Sequence, residues 1–293
     1  MIVVTTPTGS IGSQLVQDLL EAGEPVRLVL RDPSRITAEI ASKAEVIAGS
    51  HGDAAVMQRA LDGAESLFHV VPPSFATNDS DAYYLSMTQP AIDAAKAQGV
   101  RRIVTVSGVG RGVDVKAGPV SSSFRKDEAF ERSGIDYRAL WCPGFMENML
   151  RQLVPLRQQG AFYQCGRGDV KMPFVATRDI AAAAAKLLTD RSWTGQGGVG
   201  VLGPEDLSLD EMAVILTEVL GKSIRFQAVQ DEAYKAQLMS HGASEHFAAG
   251  LIEMHQAKDN GLDNTLRRDA ENTSTTSFRQ WCEEVLKPAY LAS

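Results

Sequence analysis

The chain has 293 residues, of which 44% are hydrophobic and 22% charged, so it can bury a sizeable core as one large domain or one domain with a small appendage. Its net charge of −7 argues against nucleic acid as a general partner, no apolar run approaches the ~20 residues that span a bilayer, and no basic stretch followed by an apolar core opens the chain as a secretory signal would. Cys142, Cys165 and Cys282 stand alone, with neither a Cys-x-x-Cys pair nor a disulfide framework, which suits a reducing cytoplasm.

The opening run Ile2-Val3-Val4-Thr5 is short, apolar and β-branched, the pattern of a buried strand. Thr6-Pro7-Thr8-Gly9-Ser10-Ile11-Gly12 follows, and its two glycines allow a tight turn. The helical spacing of Leu15, Val16, Leu19 and Leu20 predicts a helix over 13–22, stopped by Gly23. Strand, glycine turn and helix make the first unit of a dinucleotide-binding sheet. The N–H groups of the turn and the helix N-terminus are a ready site for a pyrophosphate. Laid on a Gly-x-x-Gly-x-x-Gly frame, the turn carries Thr6 at the first glycine position and glycines at the other two.

Residues 26–30 read as the second strand, ending at Arg31. This point lies about 20 residues past the glycine turn, where an acidic side chain would take the ribose 2′-OH of NAD. Arg31 and Arg35 can instead pair with a 2′-phosphate, which favours NADPH, while Asp32 keeps NADH open. Further strands are expected over 44–48, over 66–71 before Pro72-Pro73, and over 102–107, with helices over 54–61 and 88–98. This alternation predicts a doubly wound parallel α/β sheet with right-handed crossovers, its ligands beyond the carboxyl ends of the strands. A helix over 124–133 carries Lys126, and a sixth strand over 136–140 leads into Trp141-Cys142-Pro143-Gly144-Phe145-Met146-Glu147-Asn148.

Beyond Leu150, residues 162–166 and 170–174 read as short strands around a glycine turn. Residues 177–188 form an alanine-rich helix returning to the main sheet, capped by Thr177 or Asp179, and 197–202 a further strand. Ser208-Leu209-Asp210-Glu211 is a capping-box pattern opening a helix to Leu220. A strand over 223–229, helix over 231–257 broken near Gly242 or Gly250, a surface loop over 259–276 and a last helix over 277–286 complete the chain. The organisation expected is a Rossmann-type domain over 1–150, joined by 175–202, and a smaller substrate-side lobe over 151–174 and 203–293.

These pieces together resemble the NmrA-like group of atypical short-chain dehydrogenases/reductases over nearly the whole length. The resemblance rests on residues 5–12, on Arg31-Asp32-Pro33-Ser34, His51-Gly52-Asp53, Val104-Thr105-Val106-Ser107 and Lys126. It continues in Ser133-Gly134-Ile135-Asp136-Tyr137, Pro143-Gly144-Phe145-Met146-Glu147-Asn148, Met172-Pro173-Phe174 and Asp179-Ile180-Ala181. It implies NAD(P)(H) binding, with quinone- or enone-reductase activity in some members and a redox-sensing role in others.

Short-chain reductases use a serine after the fifth strand and a Tyr-x-x-x-Lys pair on one helix face. The tyrosine handles the proton while the lysine lowers its pKa and holds the ribose. Ser107 fits the serine and Lys126 the lysine, but Ser122 stands at the tyrosine position, and its hydroxyl is a far weaker acid than a phenol. Three readings follow. Hydride goes to a quinone or enone, with the proton from water; Lys126, Tyr137 or Tyr163 serves as the acid or base; or the dinucleotide is bound only to report redox state. Thr6, Thr8, Gly9, Ser10, Ile11 and Gly12 are the expected pyrophosphate contacts, Arg31 and Arg35 those of the 2′-phosphate. Val71, Pro72, Lys126, Pro143 and Phe145 complete the cofactor side. Phe145, Met146, Met149, Phe162, Tyr163 and Phe174 suit an apolar cleft for a flat substrate.

No metal spacing links His51, His69, His241, His246 and His255, and no calcium loop, hydrolase elbow or triphosphatase loop is present. The expectation is a cytoplasmic, NADPH-dependent oxidoreductase acting on a small apolar acceptor, monomeric or homodimeric, with no nucleic-acid or membrane partner. The alternatives are a non-catalytic NAD(P)(H)-sensing regulator and an isomerase or lyase on the same fold.

Overall fold

A computed structural model describes residues 1–292. The first half alternates strand and helix: β1 (Ile2–Thr5), α1 (Gly12–Glu21), β2 (Val26–Leu30), α2 (Ala38–Lys43), β3 (Glu45–Ala48), α3 (Ala54–Leu61), β4 (Ser66–His69), α4 (Ser80–Gln98), β5 (Arg102–Gly108), α5 (Pro119–Ser133) and β6 (Asp136–Cys142). Next come β7 (Gly144–Phe145), a 3-10 turn (Met146–Gln152), α6 (Leu153–Gln159), β8 (Ala161–Gln164), β9 (Met172–Val175), α7 (Thr177–Thr189) and β10 (Gln196–Gly200). The chain closes with β11 (Asp206–Leu207), α8 (Leu209–Leu220), β12 (Arg225–Ala228), α9 (Asp231–Ser240), α10 (Glu245–Asp259), α11 (Phe278–Trp281) and α12 (Lys287–Leu291).

The seven-stranded sheet runs β10-β6-β5-β4-β1-β2-β3, every pair parallel. This is a Rossmann-type order, and the direction of winding reverses between β1 and β4. Both faces are covered, so the central strands are apolar throughout rather than alternating. Ile2 and Val4 face α1 and α7 together with Phe68, Val104 and Leu140. Val3, Leu67 and Ile103 face Met57, Leu61, Ile92 and Phe130 on the other side. Each fully buried side chain of this size contributes about 1.5–3 kcal/mol. Where the β1–β4 ladder ends, the Thr5 hydroxyl donates to the Phe68 carbonyl at 3.3 Å and accepts from Val70 N–H at 3.0 Å. It clamps the sheet at the winding reversal.

The smaller lobe has its own core, with Leu156, Phe162, Leu216, Phe278, Trp281 and Leu286 at its centre. Its two short sheets are ordered β11-β9-β7 and β12-β8. The segments expected to flank a glycine turn therefore do not pair with each other. β8 pairs with β12 and β9 with β7 and β11, while Gly168 approaches Asp210 and its carbonyl accepts from Asp210 N–H at 3.0 Å. Neither Thr177 nor Asp179 caps α7. Its first N–H donates to Glu147 Oε2 at 3.0 Å, and Asp179 accepts from Thr276 instead.

Several boundaries also move. α4 starts at Ser80, with Asp79 accepting from Ala82 N–H, and it runs through Pro90. α5 starts at Pro119, whose fixed φ suits a first helical turn. The break between α9 and α10 falls at Gly242, φ +90°, and Gly250 lies inside α10 against Gly118. The segment 259–276 is no simple surface loop, since it buries Leu262, Asp263, Asn272 and Thr276 and bridges Leu202 to Thr273. The last helical stretch passes through a π turn at Cys282–Leu286 and past Pro288 to Leu291. The cysteines are free and buried.

Glu147 joins the two units. Oε2 accepts from Thr177 N–H and Oε1 from the Trp281 indole at 3.1 Å. An amide offers one acceptor oxygen where the carboxylate offers two. Glu147→Gln is expected to lower unfolding stability by about 1–3 kcal/mol, the cost of one unmatched donor. Urea denaturation checks it; a change below a few tenths of a kcal/mol would remove this role.

Candidate active site

The loop after β1 is built round one carbonyl. Thr6 has φ +52°, a left-handed conformation that a β-branched residue adopts at a cost, and it is the one non-glycine residue with positive φ among those described. Its carbonyl accepts from Gly9 N–H at 3.0 Å. A Cβ on Gly12 would sit 2.2 Å from that oxygen, so only glycine fits, whereas Gly9 is merely close, at 3.3 Å. Thr6 thus takes the conformation the missing first glycine of the frame would take. Ile11 is the N-cap of α1 and offers it no side-chain acceptor. A left-handed turn, a glycine seat for the helix and an uncapped N-terminus fit a pyrophosphate. Thr8 is half-buried, Gly9 and Ser10 are exposed, and Ile11 packs its side chain into the core, leaving its backbone for the loop.

Arg31 and Arg35 are exposed beyond β2, in or beside the 3-10 turn Pro33–Arg35. Neither forms an ion pair among the described residues. The Asp32 carboxylate accepts from Ser34 N–H at 3.1 Å and from the Ser34 hydroxyl at 2.7 Å, which holds it below the usual carboxylate range. It is engaged in capping the turn. Burial first, and the Arg31 charge second, push His51 down to about 4. His51 meets His69 edge-on at 5.2 Å, and neither nitrogen of the fully buried His69 has a hydrogen-bond partner. At the end of β4, Val71 is buried, and Pro72 is exposed with its carbonyl accepting from Tyr83 at 3.1 Å. Pro143 is buried and Phe145 half-buried at the carboxyl end of β6.

Lys126 and Ser107 require correction as groups facing the cleft. Lys126 is only 1% exposed. Its ammonium has three hydrogens, and three acceptors surround it: the Val106 carbonyl at 2.9 Å, the Thr105 hydroxyl at 3.0 Å and Asp127 Oδ1 at 2.9 Å. Thr105 meets the Tyr137 hydroxyl at 2.6 Å, and Tyr137 donates to Asp127 Oδ1 at 2.6 Å. Lysine, threonine, tyrosine and aspartate close a buried ring beneath the sheet. Burial, then the neighbouring Asp127, pushes the Tyr137 phenol up, and its proton is engaged with Asp127 Oδ1. Ser107 is buried, its hydroxyl 3.1 Å from that of Ser123, and Ser122 donates to Asp81 at 2.6 Å. Ser107 thus meets α5, and Ser122 reaches the half-exposed Asp81 at the start of α4.

A cavity of about 220 Å³ opens where the main sheet meets the smaller lobe. Gly144, Phe145, Met146, Met149, Phe162, Tyr163 and Phe174 line it, which brings together the apolar side chains picked out above. Met172, Met212, Tyr234, Met254 and His255 line it too. Tyr234 and His255 come from α9 and α10, and no local spacing in the sequence links them to Phe145. Tyr163 donates to Gln159 at the rim. Among the described residues, no group of three His, Cys, Asp or Glu side chains is placed to hold a metal, and no helix is long and apolar enough to cross a membrane.

Fold and loop define a Rossmann-type α/β protein with its candidate site at the winding reversal. The NmrA-like family profile matches residues 1–282, and the chain belongs to that family. It is 29% identical over 255 residues to the NAD(P)H azoreductase of Xenophilus azovorans, covering 87% of this chain and 86% of that one. Over 248 residues it is 32% identical to the (4-alkanoyl-5-oxo-2,5-dihydrofuran-3-yl)methyl phosphate reductase of Streptomyces griseus subsp. griseus, covering 82% and 81%. In three dimensions it matches an NADPH-dependent quinone oxidoreductase of Escherichia coli, solved with NADPH, at a TM-score of 0.77 and 24% identity over 96% of this chain and 98% of that one.

Two substitutions test this geometry. Thr6→Gly relieves a left-handed threonine worth about 1–2 kcal/mol against a glycine entropy cost of about 0.5–1 kcal/mol. A net gain of about 0.5–1 kcal/mol is expected in urea; a loss would mean the Thr6 side chain makes contacts that outweigh its strain. Asp127→Asn, which leaves the Lys126 ammonium buried without a counter-charge, is expected to cost about 3–5 kcal/mol. Full stability in that variant would show that the ring contributes nothing to the fold.

Proposed function

We propose that the chain is an NADPH-dependent oxidoreductase that reduces a small, conjugated, apolar acceptor of the quinone or enone kind. The observation carrying this reading is the carboxyl-end side of the main sheet, past β1 and past β6. It holds both the uncapped glycine turn and, at Gly144 and Phe145, the mouth of a methionine- and phenylalanine-lined cavity. When bound, NADPH supplies the hydride. Thr8, Gly9, Ser10 and Ile11 hold its pyrophosphate through main-chain N–H groups, and Gly12 lets the α1 N-terminus approach. Arg31 takes the 2′-phosphate, with Arg35 adding charge and Asp32 turned away to its own cap. Val71, Pro72, Pro143 and Phe145 bound the nicotinamide end. Met146, Met149, Phe162, Tyr163 and Phe174 orient the acceptor and exclude water from its faces.

The acceptor class follows from where protons are not. Lys126 and Tyr137 are bonded within the buried ring, Ser107 meets Ser123 and Ser122 donates to Asp81, so each is already engaged with a neighbour. A simple ketone needs acid assistance as hydride arrives. A quinone or an enone delocalises the charge and takes its proton from water afterwards. The relatives' names support the same choice, since an azo link and the ring double bond of an oxo-dihydrofuran are conjugated acceptors.

Loss of nicotinamide absorbance, followed with 2-methyl-1,4-naphthoquinone and with cyclohexenone, tests the reading. Acceptor-dependent consumption of NADPH is expected. Binding of NADPH without consumption by any quinone or enone would overturn it in favour of a dinucleotide sensor. Arg31→Ala is expected to reduce the preference for NADPH over NADH at least tenfold, since a charge-assisted hydrogen bond is worth about 1.5–3 kcal/mol. An unchanged ratio removes Arg31 from phosphate recognition.

A further inference from the structure

The cavity carries a charge pattern at odds with the rest of the chain. The protein has a net charge of −7, yet no aspartate or glutamate lines this space, and Arg151 and Lys258 both do. The two cations differ. Lys258 is neutralised by a direct ion pair with the buried Asp263 carboxylate. Arg151 has no hydrogen-bond or ion-pair partner among the described residues. It stands exposed at the cavity, on the same 3-10 turn that begins at Met146.

Tyr234 and His255 also line the space. The Tyr234 hydroxyl makes no hydrogen bond within the described residues, and the ring of His255 makes only an edge-on contact with Tyr234, 5.9 Å between centroids. Burial pushes His255 down to about 4 and Tyr234 up to about 12, so both stay neutral and offer hydrogen bonds rather than charge. One unpaired guanidinium and two neutral hydrogen-bonding groups stand among thioether, aromatic and leucine side chains, with the amides of Asn148, Gln152 and Gln164 beside them. A cation without a counter-charge beside a cavity that no carboxylate lines attracts an anion.

We propose that the acceptor is a planar conjugated ring system bearing an oxyanion substituent, a carboxylate or sulfonate, which Arg151 pairs with and Tyr234 and His255 hydrogen-bond. The inference rests on this cavity being the acceptor site of the reductase proposed above. Its size fits: about 220 Å³ lies below the range of about 300–1,000 Å³ for drug-sized ligands and suits one or two fused rings. Its soft walls fit as well. Met146, Met149, Met172, Met212 and Met254 are unbranched and polarizable, and they adapt to the face and edge of a flat π system. A guanidinium recognises a carboxylate or sulfonate through paired N–H donors, an arrangement that a neutral ring does not use.

The test uses ligands with nothing to reduce. The protein with saturating NADP+ is titrated calorimetrically with 2-naphthoate and with its neutral counterpart 2-naphthamide. Naphthoate is expected to bind at least tenfold more tightly, and Arg151→Gln is expected to bring the ratio of the two affinities close to one, with Arg151→Lys retaining part of it. Equal binding of acid and amide to the unmodified protein, no binding of either, or a preference that survives Arg151→Gln would overturn the proposal. NADPH consumption with 2-methyl-1,4-naphthoquinone, measured on the same preparation, keeps the two claims apart. Consumption without a naphthoate preference sinks the anion site alone. A naphthoate preference without consumption of NADPH by any quinone leaves the anion site standing and removes the reductase.

Discussion

The contact between the Thr6 carbonyl and the α-carbon of Gly12 fixes the start of the fold. With 2.2 Å between that oxygen and any Cβ at position 12, the helix can seat itself only if residue 12 has no side chain. Seated there, α1 runs along the sheet with Leu15, Val16 and Leu19 buried, and its first N–H groups end up beside the winding reversal. The strain of a left-handed threonine is held by what surrounds it: Thr5 clamps β1 to β4 on one side, and α1 packs against α7 through Gln14 and Thr177 on the other. Strain that persists under such constraint is common where a backbone must meet a ligand.

Beneath the sheet, the ring of Lys126, Thr105, Tyr137 and Asp127 takes over a lysine that the helix position alone would assign to catalysis. The reason lies four residues earlier. Where a phenol would stand, Ser122 donates to Asp81 on α4. A buried ammonium needs a counter-charge and acceptors, and Asp127 with Thr105 and the Val106 carbonyl supplies them. The lysine therefore ties α5 to β5.

What could be read ahead of the structure depended on range. The β1 turn and the capping box at Ser208 and Glu211 are decided by residues within four or so positions, and both stand as expected. The parallel sheet follows from repeated strand–helix alternation. The left-handed φ of Thr6 at the first glycine position is not disclosed by the residue name. The pairing of β8 with β12 was out of reach, since alternation marks a strand but not its partner some sixty residues on. Asp259 and Asp210, which brace the glycine-rich turn, lie about ninety and about forty residues further on. The direction in which Lys126 points is set by Asp127, Thr105 and Tyr137 from α5, β5 and β6, and Tyr234 meets His255 only because α9 and α10 fold back on each other. No periodicity encodes either meeting.

The fold thus divides two tasks between its parts. The main sheet fixes backbone geometry, where displacements of an ångström matter, and does so with strands buried on both faces. The smaller lobe supplies side chains that adapt, mostly methionine, on short strands and helices with a separate core. In the reductase proposed above, the groups beneath the sheet are bonded to one another, and the walls of the cavity rather than an acid from below decide what reacts. A site of that kind selects by electron affinity, flatness and charge. Those are the properties that thioethers, phenyl rings and a lone guanidinium can sense, and that a hydroxyl already engaged with its neighbour cannot.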